Sequence, residues 1–219
     1  MKTRYLIALT SLLLLFGPYA SGDVIVSLVD RYGNDSGWDA VLTDNVHTGI
    51  IVDAVTGDAV TIQIAKDFYL PPEQGFFPPN SIYFTQRLDD ATTVPVIKIA
   101  DEAIVNNTGM AWTDYHWQIV GCTAVFDPEA TEQSGFDVDP FTNMIWGPNG
   151  KSLDVDGGVV PNGWTFFPGD DGGSLYIRVD LAGDDSDFYL TQYPTPEPGT
   201  IALLISGGFA VLVRRRRVS

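Results

Sequence analysis

Leu175-Tyr176-Ile177-Arg178-Val179-Asp180-Leu181 decides the fold class. Apolar side chains stand at 175, 177, 179 and 181, with Tyr176, Arg178 and Asp180 between them. A period of two puts successive side chains on opposite faces of a strand, so this stretch reads as a β-strand with one buried and one wet face. After the turn signal Gly183-Asp184-Asp185, residues 188–191 read as a closing strand. Towards the N-terminus, residues 24–29, 40–42, 48–52, 60–65, 81–85 and 94–99 have strand length and β-branched or aromatic content. Thr56-Gly57-Asp58 and Asn106-Asn107-Thr108-Gly109 punctuate them, and no long 3.6-residue periodicity or internal repeat intervenes. Many short strands at near-regular spacing predict an all-β domain, a β-sandwich of jelly-roll or immunoglobulin-like type.

Two proline-rich inserts interrupt the strands. Leu70-Pro71-Pro72-Glu73-Gln74-Gly75-Phe76-Phe77-Pro78-Pro79 cannot be an interior strand and reads as a surface loop. Residues 127–167 form a longer insert that carries Phe141, Trp146 and Trp164; a stretch of that length is functional or holds its own hairpin. The best-ordered internal pattern runs from Ile104-Val105 through Asn106-Asn107-Thr108-Gly109 into Trp112-Thr113-Asp114-Tyr115-His116-Trp117-Gln118-Ile119. It reads as a hairpin whose glycine takes φ > 0, with Trp117 and Ile119 on one face and His116, Gln118 and Cys122 on the other.

The chain has 219 residues and a formal net charge of −16. Lys2, Arg4 and Arg214 to Arg217 lie at the ends, so residues 23–193 keep six of the 12 basic side chains against 27 of the 28 acids, Glu197 being the other. A surface this acidic repels phosphates, which excludes nucleic acid and anionic lipid headgroups as partners of that region. Hydrophobic residues make up 45%, so the acids ring a real core rather than form a disordered tail. Cys122 is the sole cysteine, which rules out an intramolecular disulfide.

Both ends read as trafficking segments. Lys2 and Arg4, the apolar run over residues 6–16, Pro18, and small residues Ala20 and Gly22 before Asp23 describe a signal peptide over residues 1–22, hence export through the Sec machinery. Residues 194–219 begin with prolines at 194, 196 and 198, which read as a stiff, extended, exposed segment outside the packed domain. An uncharged run to Val213 and then Arg214-Arg215-Arg216-Arg217 follow, a transmembrane helix over residues 199–213 held by its arginines on the cytoplasmic side, with the body outside. The apolar core of that run covers only about 20 Å, so it is a short anchor that spans by thinning the bilayer and snorkelling.

This tail resembles the PEP-CTERM sorting signal, whose Pro-Glu-Pro motif stands as Pro196-Glu197-Pro198 ahead of the short helix and basic stop. The resemblance implies export in a Gram-negative, exopolysaccharide-producing bacterium, cleavage by a membrane exosortase, and delivery from the inner membrane to the cell surface or extracellular matrix. The stretch from Asn106 to His116 is similar to a strand pair in secreted β-sandwich proteins with this tail; the plainer reading makes Trp112 and Trp117 core anchors and Asp114 and His116 hydrogen-bonding residues.

No catalytic pattern stands out. His116 and Cys122 are six residues apart on one strand face, about 20 Å, too far for a nucleophile and its base. Asp137, Asp139, Asp154, Asp156, Asp184, Asp185 and Asp187 lie in acidic, Gly- or Ser-flanked stretches with hard oxygen ligands for Ca²⁺, although none completes an EF-hand and Asx-turns explain each cluster without metal. Three functions follow. The leading one is a non-enzymatic envelope or matrix protein with a structural or exopolysaccharide-associated role and no required cofactor. The second is a carbohydrate-binding module that stacks exposed Trp38, Phe76, Phe77, Trp146 and Trp164 on sugar rings. The third is a secreted hydrolase, which requires His47 or His116 in a cleft beside a carboxylate or thiol.

Overall fold

A computed structural model describes residues 23–70, 81–121, 123–182 and 186–196. Its strands are β1 Val24–Val29, β2 Asp35–Leu42, β3 Thr48–Thr56, β4 Ala59–Phe68, β5 Ile82–Gln86, β6 Val96–Asn106, β7 Trp112–Val120, β8 Ala124–Phe126, β9 Asn143–Trp146, β10 Ser152–Val160, β11 Thr165–Phe166, β12 Leu175–Val179 and β13 Phe188–Pro196. The one α-helix among these residues, α1 Pro128–Ser134, is short. Asp127 caps it by accepting from the Ala130 N–H at 3.0 Å, Pro128 fits the first turn where no N–H is needed, and Gly135 ends it in the left-handed region.

The strands form two sheets. Sheet A has the order β1-β2-β5-β13-β7-β10-β9, and sheet B the order β3-β4-β6-β12-β8 with β11 also on β6. All pairs are antiparallel except β4 with β6. One core joins the sheets: Trp38, Phe84, Trp112, Tyr115, Trp117 and Phe188 of sheet A pack with Ile62, Ile64, Ile97, Ile99, Ile104 and Ile177 of sheet B. Hydrophobic burial at roughly 25 cal/mol per Å² makes this aromatic-aliphatic layer the main stabilising term. The alternation that marks β12 holds, since Leu175, Ile177 and Val179 are buried while Arg178 is exposed. Trp117 and Ile119 are buried likewise.

Two expectations change. Asn106-Asn107-Thr108-Gly109 is not the turn of a hairpin, because β6 belongs to sheet B and β7 to sheet A. The chain arches across the sandwich, and Asn106 carries the corner. Its Nδ2 donates to the Met110 and Val160 carbonyls at 2.8 and 2.9 Å, and its Oδ1 accepts from the Thr108 N–H and hydroxyl at 3.2 and 2.7 Å. A side chain that satisfies four partners replaces the ladder bonds a hairpin would have made. Gly109 does take φ +83 as its place in the corner requires.

The second change concerns the tail boundary. Pro194 and Thr195 are not an exposed stalk; β13 continues to Pro196 and pairs with β7 along Tyr193↔His116, Pro194↔Tyr115 and Thr195↔Asp114, with Pro194 buried. Pro194 is tolerated for a geometric reason. The Thr195 N–H points at β7, where Asp114 Oδ1 accepts it at 3.0 Å, so position 194 directs its nitrogen to the other edge. β5 pairs β13 only at residues 188–190, and a missing N–H on that edge costs no ladder bond there.

The insert over residues 127–167 holds its own hairpin, as its length suggested, and that hairpin is part of the sandwich. It supplies α1, the antiparallel pair of β9 and β10, and β11, and β10 extends sheet A by pairing with β7. The insert at 71–80, the leader at 1–22 and residues 197–219 lie outside the described residues, and no helix within those described is long and apolar enough to cross a membrane.

Candidate functional site

Two polar constellations are built from side chains that converge from several strands. The first lies on the outer face of sheet A. Registers Asp154↔His116 and Tyr193↔His116 set Asp154, His116 and Tyr193 side by side on β10, β7 and β13. His116 Nδ1 lies 2.7 Å from Asp154 Oδ1 and Nε2 lies 3.0 Å from the Thr195 hydroxyl, while Asp114 Oδ1 stands 3.5 Å from Nε2. The ring stacks on Tyr193 at 4.7 Å between centroids. Burial raises the Tyr193 phenol, and the charges of Asp154 and Asp114 push it the same way.

Carboxylate, imidazole and hydroxyl thus stand in the order used by nucleophilic hydrolases. The Thr195 N–H is already given to Asp114 Oδ1, so it does not serve as an oxyanion donor. What the cluster does in this arrangement is fasten the end of β13 to β7 and β10. His47, the other histidine, stacks on Tyr69 at 3.8 Å and lies 3.7 Å from Asp67 Oδ2.

The second constellation is in the core. On β4, residues 60, 62, 64, 66 and 68 face inward, so Lys66 occupies a phase otherwise filled by Val60, Ile62, Ile64 and Phe68, and it is 0% exposed. Glu102 on β6, 1% exposed, joins it because of a bulge. The register passes from Ile62↔Ile99 to Gln63↔Asp101, leaving Ala100 as the extra residue. That insertion reverses the inward phase, so Ile97 and Ile99 face the core before it and Glu102, Ile104 and Asn106 after it. Glu102 Oε1 accepts from Trp117 Nε1 at 3.2 Å and Gln192 Nε2 at 3.3 Å, both from sheet A, and Gln192 Oε1 in turn accepts from the Tyr115 hydroxyl at 3.1 Å. Glu102 Oε2 has no hydrogen-bond partner. Burial lowers Lys66 strongly, opposed by the charge of Glu102, and burial raises Glu102, opposed by Lys66 and by the two N–H donors. Burial also raises Tyr115 well above an ordinary phenol.

The expected sugar platform does not assemble. Trp38 is 0% exposed, donates Nε1 to the Val94 carbonyl at 2.8 Å and meets Phe188 edge-on, so it is a core anchor and has no face to offer a ring. Trp146 is half-buried against Phe126 and donates to Glu132 at 2.9 Å. Trp164 alone of the described candidates is well exposed, at 64%; Phe76 and Phe77 lie outside the described residues. Among the acids, Asp187 accepts from the Tyr83 and Thr85 hydroxyls and the Gln86 N–H, Asp156 from Asn143, and Asp137 from the Asp139 N–H. Asp184 and Asp185 lie outside the described residues, and within those described no three His, Cys, Asp or Glu side chains converge as metal ligands. On the outer face of sheet B, burial lifts Asp101 to about 6, with Asp170 and Asp53 adding repulsion.

No family model, curated protein or solved structure matches the chain. Lys66 was findable in the sequence as a charge in the apolar phase of an alternating run; Glu102 was hidden by the bulge at Ala100.

Proposed function

We propose that this is an exported protein of the cell envelope or extracellular matrix, delivered by a C-terminal signal of PEP-CTERM type, in which the β-sandwich is a non-enzymatic structural body. Residues 1–22 act as the Sec leader, Pro196-Glu197-Pro198 as the motif an exosortase reads, residues 199–213 as the temporary membrane anchor and Arg214 to Arg217 as its cytoplasmic stop. The observation that carries this reading is the path of β13. This strand lies inside sheet A, is clamped at Thr195 by His116 and Asp114, and delivers the chain at Pro196 directly into the motif. The inner strand of the body thus runs up to the first residue of the motif. Both histidines sit in tight hydrogen-bonded or stacked settings that suit a structural role, and the acidic surface suits a hydrated polysaccharide matrix.

The test is replacement of Pro196, Glu197 and Pro198 by alanine in the native host. The uncleaved precursor is expected to collect in the inner membrane with its body outward, because the apolar run and arginines are untouched. Normal delivery of the variant contradicts the reading. Carbohydrate binding keeps one supporting observation, the exposed Trp164 ring. A glycan array with the wild type and Trp164→Ala, with and without Ca²⁺, tests it: a sugar retained by the wild type and lost by the variant establishes it, and no retention removes it.

A further inference from the structure

The geometry points to an intramolecular amide bond between Lys66 Nζ and Glu102 Cδ, a covalent cross-link that ties β4 to β6 inside the core. The two residues are diagonal neighbours on one face of sheet B, since Glu102 lies opposite Ile64 and Lys66 opposite Ile104 in a parallel pair. With about 4.8 Å between strands and about 3.3 Å per residue, their Cα atoms are about 8 Å apart. A lysine stem of about 6 Å and a glutamate stem of about 4 Å span that distance with a bond to spare in bending. Both side chains are shut away from solvent, and each is the kind of group that is costly to bury as an ion.

Three features fit the chemistry of amide formation rather than a lasting ion pair. Burial favours the neutral amine of Lys66 and the neutral acid of Glu102, which are the reactive forms of nucleophile and electrophile; charged ammonium and carboxylate do not condense. The two oxygens of Glu102 are treated differently: Oε1 receives the Trp117 and Gln192 N–H groups, while Oε2 receives none. Two donors on one oxygen are placed to hold the oxyanion of a tetrahedral intermediate, and the bare oxygen is free to leave. Finally, the donors come from sheet A and the reacting pair from sheet B, so the site exists only after the sandwich has closed. The bond therefore follows folding.

The step balances without an oxidant or cofactor. The lone pair of Lys66 Nζ attacks Glu102 Cδ, and electrons move onto Oε1, held by Trp117 Nε1–H and Gln192 Nε2–H. A proton passes from Nζ to Oε2, which carries the acid's own proton already. Oε1 re-forms its double bond, the Cδ–Oε2 bond breaks, and one water leaves. The apolar core, to which Phe68, Trp112 and Phe166 belong, keeps that water from returning. For an exported chain whose lone cysteine forbids an internal disulfide, the cross-link supplies covalent resistance to unfolding of the central strands of sheet B.

Mass spectrometry of the full chain purified from its producing cells tests this without any variant. Trypsin cannot cut after an acylated lysine, so the expected product is residues 32–87 joined to residues 99–151 with a mass about 18 Da below the sum of the two. Recovery of separate peptides cut after Lys66 overturns the proposal. A join from Lys66 to Gln192 with loss of about 17 Da, which is ammonia, also overturns it by moving the bond to another carbonyl. Trp117→Phe keeps an aromatic ring in the core and removes the indole N–H. It is expected to raise the unlinked fraction several-fold, with Lys66→Met as the fully unlinked reference; an unchanged linked fraction in Trp117→Phe contradicts the oxyanion assignment.

Discussion

Asn106 and Asn107 are adjacent and identical in the sequence, yet the structure assigns them very different weights. Asn106 is fully buried and holds the arch between the sheets through four hydrogen bonds, whereas Asn107 is exposed and makes one side-chain bond, to Asp67 Oδ1 at 2.8 Å. In Asn106→Ala the Met110 carbonyl keeps the Thr108 hydroxyl at 3.2 Å, and that hydroxyl keeps Trp112 Nε1. The Val160 carbonyl and the Thr108 N–H lose the partner supplied by Asn106. Two buried groups at about 1–3 kcal/mol each give an expected loss of about 2–6 kcal/mol. Asn107→Ala, losing a surface bond, is expected to change stability by about 0.5 kcal/mol or less. Equilibrium urea unfolding followed by tryptophan fluorescence measures both, with the midpoint shift read at constant slope. Equal effects from the two substitutions, or a loss below about 1 kcal/mol for Asn106→Ala, refute the arch as the reason for the motif.

Asp30 makes stability depend on acid. Its carboxylate accepts from the Asn34 side chain and from the Asn34, Val55 and Tyr32 N–H groups, which together hold it at about 2 instead of 3.8. A carboxyl lowered by folding contributes stability that is complete above its unfolded value and is lost as pH falls towards the folded one, so urea midpoints should drop between about pH 4 and about pH 2. Asp30→Asn is expected to flatten that drop, and an equally steep fall in the variant contradicts the assignment. Leu175→Ala removes a fully buried side chain and should cost about 2–5 kcal/mol, while Trp164→Ala, at an exposed ring, should leave the urea midpoint nearly unchanged.

Period-two alternation was enough to read β12 and β7 and to name Trp117, Ile119, Leu175, Ile177 and Val179 as core. The same rule applied to Trp38, Ala40 and Leu42 shows Trp38 in the buried phase, and the large aromatic surface that invites a sugar is here spent on the core. Sheet membership was not legible. A turn such as Asn106 to Gly109 looks alike whether it returns to the same sheet or crosses to the other, because the difference lies in the distant Val160 carbonyl that Asn106 reaches. Prolines at 194 and 196 suggested a free stalk, yet a proline is neutral on an edge without ladder bonds, and only the pairing reveals that edge. Glu102 shows the limit most clearly: one extra residue at Ala100 turns a predicted surface acid into a core one.

The C-terminus of the mature protein tests the central claim most directly. Isolated from the envelope or culture medium of the native host, the chain is expected to end near Pro196-Glu197-Pro198, with the apolar run and Arg214 to Arg217 removed and the body through β13 intact. A delivered protein whose terminal peptide still reaches Ser219 contradicts processing by a sorting protease and leaves a β-sandwich fixed to the membrane by an uncut tail.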